Sequence, residues 1–201
     1  CDFSVIPVGD KIKKSNIYEN QFIKDYLDIL KKEILSIKHK TSLSTIYIGG
    51  GTPSILNPLQ ISELITTFRT HYGIDNGAEI TMEIDPASFE ECDLYGFINA
   101  GVNRFSLGAQ SFNDKILKKA GRRHKSNDVK KSCAWLSKAK DQNFIKTWSI
   151  DLIQNLPQSG IDEWRTDLEK TLNYYPPHIS IYDLIIEEGT VFKKLKDSGL
   201  L

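Results

Sequence analysis

Five short strand patterns in this chain are separated by helical ones, and no Asn-Gly or similar hairpin signal joins any two strands. The strand runs fall at 45–48, 78–84, 102–108, 144–153 and 178–185. Strands that alternate with helices must lie parallel, because each return to the start of the sheet needs a crossover. The helical segments follow from apolar spacing. Tyr18, Phe22, Tyr26, Leu30, Ile34 and Ile37 form one stripe, and Ile61, Leu64, Ile65, Phe68 and Tyr72 a second. Leu94, Phe97 and Ile98 lie on a helix that Gly101 ends. Lysine-rich helices are expected at about 113–120 and 127–140, their lysines read as a solvated face, and a last helix at 161–172 presents Trp164 and Leu168 on one side. A doubly wound sheet and a (β/α) barrel both satisfy this order.

In either fold the C-terminal ends of the strands converge on one rim, where ligands bind. The first strand empties into Gly49-Gly50-Gly51-Thr52-Pro53-Ser54, and Asn57 and Pro58 then signal a helix start. One glycine would make a turn. Three followed by Thr-Pro favour a loop whose backbone approaches a ligand. The stretch is neither a dinucleotide fingerprint nor a P-loop, and no lysine follows to reach a phosphate.

Other rim positions are polar. Glu83 and Asp85 end the second strand, Gln110 follows the third, Asp151 lies towards the end of the fourth, and Tyr182 and Asp183 lie in the fifth. An acid within an apolar strand is costly to bury without a partner. Glu83 or Asp151 alone reads equally as a satisfied structural carboxylate. Both at equivalent rim positions beside a glycine-rich loop point to a ligand site.

Composition removes several alternatives. The 201 residues suit one domain, and 26 basic residues balance 26 acidic ones, so a globally basic nucleic-acid binder is not indicated. No apolar run approaches the roughly 18 residues of a membrane span, and no signal peptide is visible. Three widely spaced cysteines, Cys1, Cys92 and Cys133, do not form a secreted disulfide framework, so a reducing cytoplasm is expected. The chain opens on Cys1, with Met82 its only methionine, and reads as a fragment or trimmed chain.

Seven stretches in order resemble the radical S-adenosylmethionine (SAM) family of oxygen-independent coproporphyrinogen III oxidase-like proteins, and within it the haem chaperone HemW subgroup. They are Cys1-Asp2-Phe3-Ser4, residues 47–54, 79–86 and 101–112, Gly121-Arg122-Arg123-His124, 151–157 and 176–182. The resemblance implies one radical SAM core domain over 1–201, truncated at both ends, folded as a partial (β/α)6 barrel of parallel strands. It implies a 4Fe-4S cluster held by a Cys-x3-Cys-x2-Cys loop, whose third cysteine matches Cys1. Three thiolates leave one iron open to the amino and carboxylate groups of SAM. Gly50, Gly51 and Thr52 match positions against the methionine end of SAM, and Glu83, Gln110, Arg122 and Asp151 match SAM contacts. Carboxylates suit an amine or ribose hydroxyls, and a guanidinium suits a carboxylate. Arg122 is preferred over Arg123 on its spacing from Gln110.

The chain departs from the family pattern in two turns. Asn155-Leu156-Pro157 replaces Gly-Leu-Pro, and Asn is expected to keep the positive φ. Asp85-Pro86-Ala87-Ser88 is closer to the oxidase branch. Phe3 stands where the oxidase has a further cysteine, which favours the chaperone subgroup.

The implied function is therefore haem transfer and porphyrin metabolism by a cytoplasmic protein. Its partners would be haem as cargo, haem-requiring acceptor proteins and an electron donor for the cluster, and a homodimer is compatible. The alternatives are an oxygen-independent coproporphyrinogen III oxidase, which decarboxylates propionate side chains, and a fragment with no activity of its own. No catalytic residue is singled out. His39, His71, His124 and His178 are too scattered to choose a haem ligand and read as surface or structural.

Overall fold

A computed structural model describes residues 20–38 and 41–200. Its single sheet contains β1 (Leu43–Ile48), β2 (Ile74–Ile84), β3 (Arg104–Gln110), β4 (Thr147–Gln154) and β5 (His178–Asp183). The spatial order is β1-β2-β3-β4-β5, and every neighbouring pair is parallel. A doubly wound sheet would run outward in both directions from a switch point, so this unbroken order excludes it. The strands form a curled half-barrel whose described edges are β1 and β5.

The crossovers are α1 (Gln21–Ser36) before β1, then α2 (Pro58–His71), α3 (Glu91–Ala100), the pair α4 (Asp114–Lys119) and α5 (Ser126–Asp141), and α6 (Ile161–Leu172). A short α7 (Val191–Asp197) follows β5, and sequence periodicity did not predict it. Asn57 and Pro58 start α2 as expected. The Asn57 side chain accepts from Gln60 N at 2.8 Å, and Gln60 Oε1 accepts from Asn57 N at 2.9 Å. Gly101 closes α3 at φ +114.

Strand alternation separates two faces. Ile80, Met82, Phe105, Leu107, Trp148 and Ile150 point outward and are buried against Ile61, Ile65, Leu94, Phe97, Val129 and Leu136 of the helices. The inner face carries Tyr47, Thr81, Glu83, Arg104, Ser106, Ser149 and Asp151. The hydrophobic core thus lies on the outside of the curl, and the concave side is polar.

One predicted stripe is shifted. On α1, Ile23, Leu27 and Ile34 are buried with Leu64 of α2, whereas Phe22 and Tyr26 are 69% and 61% exposed. Apolar residues occupy more than a third of this helix's circumference, so several 3.6-period stripes fit the sequence. The position of α2 selects one of them. Tyr18 of the expected stripe lies outside the described residues. The lysines of α4 and α5 are solvated, as expected.

Candidate cofactor site on the concave rim

Glu83 joins the first two strand ends. Tyr47 Oη donates to Glu83 Oε1 at 2.8 Å, and Gly50 N donates to Oε2 at 3.2 Å. A side chain at Gly49 could not coexist with this arrangement: its Cβ would stand 2.8 Å from the Tyr47 ring and 3.1 Å from Glu83 Oε1. Gly50 has φ +115, a conformation that L side chains rarely adopt. Partial burial of the hydroxyl and the neighbouring Glu83 push the Tyr47 phenol above its ordinary range, although the side chain as a whole is exposed. Gly51 is exposed on the loop, and Thr52 turns its hydroxyl onto the Gly51 carbonyl at 2.6 Å. Ser54 ties the loop to the next one: its hydroxyl accepts from Asp85 N at 2.9 Å and donates to the Ser88 hydroxyl, which in turn donates to the Asp85 carbonyl at 2.8 Å.

Asp151 stands further round the curl, in register with Gly108 of β3 and Ser180 of β5. Ser106 donates to Asp151 Oδ2 at 2.8 Å and lies 2.9 Å from the Ser149 hydroxyl. Asp151 Oδ1 is buried with no hydrogen-bond partner among the described residues. Burial raises the Asp151 carboxyl above its usual range. The Ser106 and Ser180 hydroxyls oppose the rise, and the negative charge of Glu83 adds to it.

Gln110 ends β3 at φ +59, with its side-chain amide folded back over Gly108. A Cβ at Gly108 would meet Gln110 Nε2 at 2.8 Å. Gln110 is 7% exposed, and its Oε1 is also buried without a partner. Two acceptor oxygens from adjacent strands are therefore out of water and unpaired on the concave face. Such atoms carry a desolvation cost that a donor group in the concavity would remove.

Arg122 follows the left-handed Gly121 that ends α4. Gly121 N bonds to Lys118 O at 3.1 Å and Arg122 N to Leu117 O at 2.9 Å, a Schellman closure. Arg122 is exposed, and its charge contributes weakly to the field at Asp85. Burial would raise the Asp85 carboxyl, but His124, the Ala87 N–H that donates to Oδ1 at 3.0 Å and, least of all, the Arg122 charge take it below its ordinary value. His124 is 2% exposed, with Nδ1 3.4 Å from Asp85 Oδ2 and Nε2 3.1 Å from the Ala109 carbonyl.

The structure thus brings Gly50 and Glu83 into contact and sets Asp151 and Gln110 on neighbouring strands. Arg122 makes no ion pair with Asp85 and acts on it only through its charge. Cys1 and His39 lie outside the described residues. Among the described residues no group of three His, Cys, Asp or Glu is arranged to hold a metal. Tyr47, Ser106, His124 and Asp167 were not singled out as site residues from sequence. Tyr47 sits inside the stretch that drew attention to the loop, and His124 lies two residues past Arg122. Nothing local marks Asp167.

A concave, polar rim on a parallel half-barrel defines the class of protein, and comparison gives the family: the chain belongs to the radical SAM superfamily, whose profile matches residues 1–166. It is similar to the haem chaperone HemW of Synechocystis, 35% identical over 202 residues that cover 100% of this chain and 47% of that protein. The haem chaperone HemW of Haemophilus influenzae is 34% identical over 208 residues, covering 100% of this chain and 52% of that one. Among solved structures, coproporphyrinogen III oxidase (HemN) from Escherichia coli, a radical SAM enzyme, superposes with a TM-score of 0.76 at 26% identity. That match covers 92% of this chain and 40% of the oxidase chain. The chain spans about half the length of the curated relatives it matches. Among the described residues no helix is long and apolar enough to cross a membrane.

Proposed function

We propose that this chain is the cofactor-binding core of a haem chaperone-like radical SAM protein, binding SAM on the concave rim beside a 4Fe-4S cluster. The observation that carries the reading is the pair of buried, unpartnered acceptors, Gln110 Oε1 and Asp151 Oδ1, facing the same concavity as Glu83 and its glycine loop. The donor chemistry of SAM fits this set. Glu83 is an anchored carboxylate for the ammonium group, with Gly50, Gly51 and Thr52 as the close-approaching backbone beside it. Asp151 and Gln110 accept from ribose hydroxyls. Arg122 supplies positive charge for the SAM carboxylate.

Cys1 is the proposed cluster ligand from this chain, one of three cysteines in the full-length protein. Cluster-bound SAM supplies the radical chemistry of the family. The chain's own residues bind and orient the cofactor and keep its polar groups paired. No residue described here is assigned a proton transfer.

Haem is proposed as the cargo, passed to haem-requiring acceptor proteins in the cytoplasm. The HemW names of the relatives and Phe3, where the oxidase pattern has a further cysteine, support this choice. The second reading is an oxygen-independent coproporphyrinogen III oxidase. The structural likeness to HemN and the Asp85-Pro86-Ala87-Ser88 turn favour it.

Anaerobic incubation of the full-length, cluster-loaded protein with SAM, a reductant and coproporphyrinogen III separates the two, alongside a haem titration. The chaperone reading expects saturable haem binding and no decarboxylated product. Multiple turnovers to protoporphyrinogen IX would replace it with the oxidase reading.

A further inference from the structure

Gln110 is held in an unusual backbone state. Ser111 N donates to the Ala109 carbonyl at 2.8 Å, closing a three-residue γ turn with Gln110 at its centre. With φ +59 at that centre, the turn is of the rare and strained kind, and Gln110 carries a Cβ where glycine has only hydrogen. Such a residue persists only where its surroundings over-determine it.

Two buried side chains from distant parts of the chain do so. Before Gln110, His124 Nε2 donates to the same Ala109 carbonyl at 3.1 Å. A carbonyl only accepts, so this contact places a proton on Nε2. After Gln110, Asp167 of α6 accepts from Ser111 Oγ at 2.6 Å through Oδ2 and from Phe112 N at 2.7 Å through Oδ1. Ser111 Oγ in turn accepts from Asn113 N at 3.0 Å. Asp167 is 3% exposed and Ser111 1%, so neither bond competes with bulk water.

We infer that His124 and Asp167 are positioning residues, which clamp the two sides of the Gln110 turn and so fix its amide over Gly108 on the concave face. The inference rests on the SAM reading of Gln110 above. Neither clamp bonds to the Gln110 amide itself, and the other ring nitrogen of His124 faces Asp85 Oδ2 at 3.4 Å. Each acts through the turn, and the amide oxygen is presented unpaired because the backbone cannot relax to bury it elsewhere. Preorganisation of this kind removes an ordering cost from ligand binding.

The test is a double-mutant cycle on SAM affinity, measured by calorimetry with the full-length, cluster-loaded protein. Asp167→Asn and His124→Gln should each weaken SAM by about tenfold, the scale set by release of one strained backbone state. On a Gln110→Ala background the same substitutions should cause no further loss, because nothing remains for them to position. A purely structural role would lower the melting temperature without this non-additivity. Ser111→Ala removes only the hydroxyl arm of the Asp167 clamp and carries the same test if Asp167→Asn folds poorly. Losses that add fully to that of Gln110→Ala would overturn the inference. So would unchanged SAM affinity in the clamp variants while Glu83→Ala and Gln110→Ala bind weakly. Unchanged affinity in all variants, Glu83→Ala included, would instead overturn the SAM reading of the rim, and the inference with it.

Discussion

Tyr47 and Glu83 are joined across β1 and β2 by a 2.8 Å hydrogen bond, and the glycine loop closes over the same carboxylate through Gly50 N. The phenol and the amide take one oxygen each. Glu83 therefore meets the concavity with its orientation already set, and the lone pairs left over point to whatever occupies the rim.

Tyr47→Phe keeps the ring and removes the donor. This bond lies at a solvent-accessible position, so the expected loss of stability is small, about 0.5 kcal/mol. Affinity for SAM should fall by about threefold as Glu83 gains freedom. Calorimetric titration and thermal melts on the same preparations read both effects, and a larger change in stability than in binding would count against an orienting role.

Asp151 and Asp85 should have opposite pH signatures. The Asp151 carboxyl is raised above its ordinary value of 3.8, so its charged form is disfavoured by folding. Stability from this group falls as pH rises from 3.8 through the folded value. Asp151→Asn should therefore melt higher than wild type at neutral pH, with the gain vanishing below the ordinary carboxylate range. Asp85 is lowered from 3.8, so its contribution is present above that pH and is lost as pH falls through the folded value. Asp85→Asn should be less stable at neutral pH and level with wild type in acid. Melting curves from about pH 3 to 7 give both signs.

Of the three cysteines only Cys1 is expected to hold iron. Cys133 is fully buried in the core, and burial pushes its thiol up to about 12, which disfavours the thiolate a metal needs. Cys92 is exposed at the start of α3 with no companion ligands among the described residues. After anaerobic reconstitution of the full-length protein, Cys1→Ser should lose bound iron and charge-transfer absorbance. Cys92→Ser and Cys133→Ala should retain both, the latter with a lower melting temperature from the core cavity. Full iron content in Cys1→Ser would remove Cys1 from the cluster. The 201-residue chain alone, with one of the three loop cysteines, should not hold a stable cluster, and a stable four-iron centre on it would show that the loop assignment is wrong.

The fold was legible because alternation of strand and helix leaves few topologies, and the convergence of strand ends puts Gly50, Glu83 and Asp151 on one rim. Asn155 in place of glycine keeps φ +60, as its chemistry suggested. The phase of α1 was not legible, since Phe22 and Ile23 fit equally periodic stripes and only the packing of α2 decides between them. The clamps were hidden for a different reason. His124 is 15 residues from Ala109, and Asp167 is 56 from Ser111, so each bond exists only once the crossovers have closed. The positive φ of Gln110 is likewise a product of those long-range bonds and has no signature in its own sequence neighbourhood.

The rim's proposed role is tested most directly by titrating SAM calorimetrically into full-length, cluster-loaded wild type, Glu83→Ala and Asp151→Ala, with a thermal melt of each. Loss of one charge-assisted hydrogen bond should cost about 1.5–3 kcal/mol, so each variant is expected to bind SAM roughly ten- to a hundredfold more weakly while retaining a cooperative melt. Wild-type affinity combined with a collapsed melting temperature would show that these carboxylates serve the fold and that SAM is not bound where Glu83 and Asp151 face the concavity.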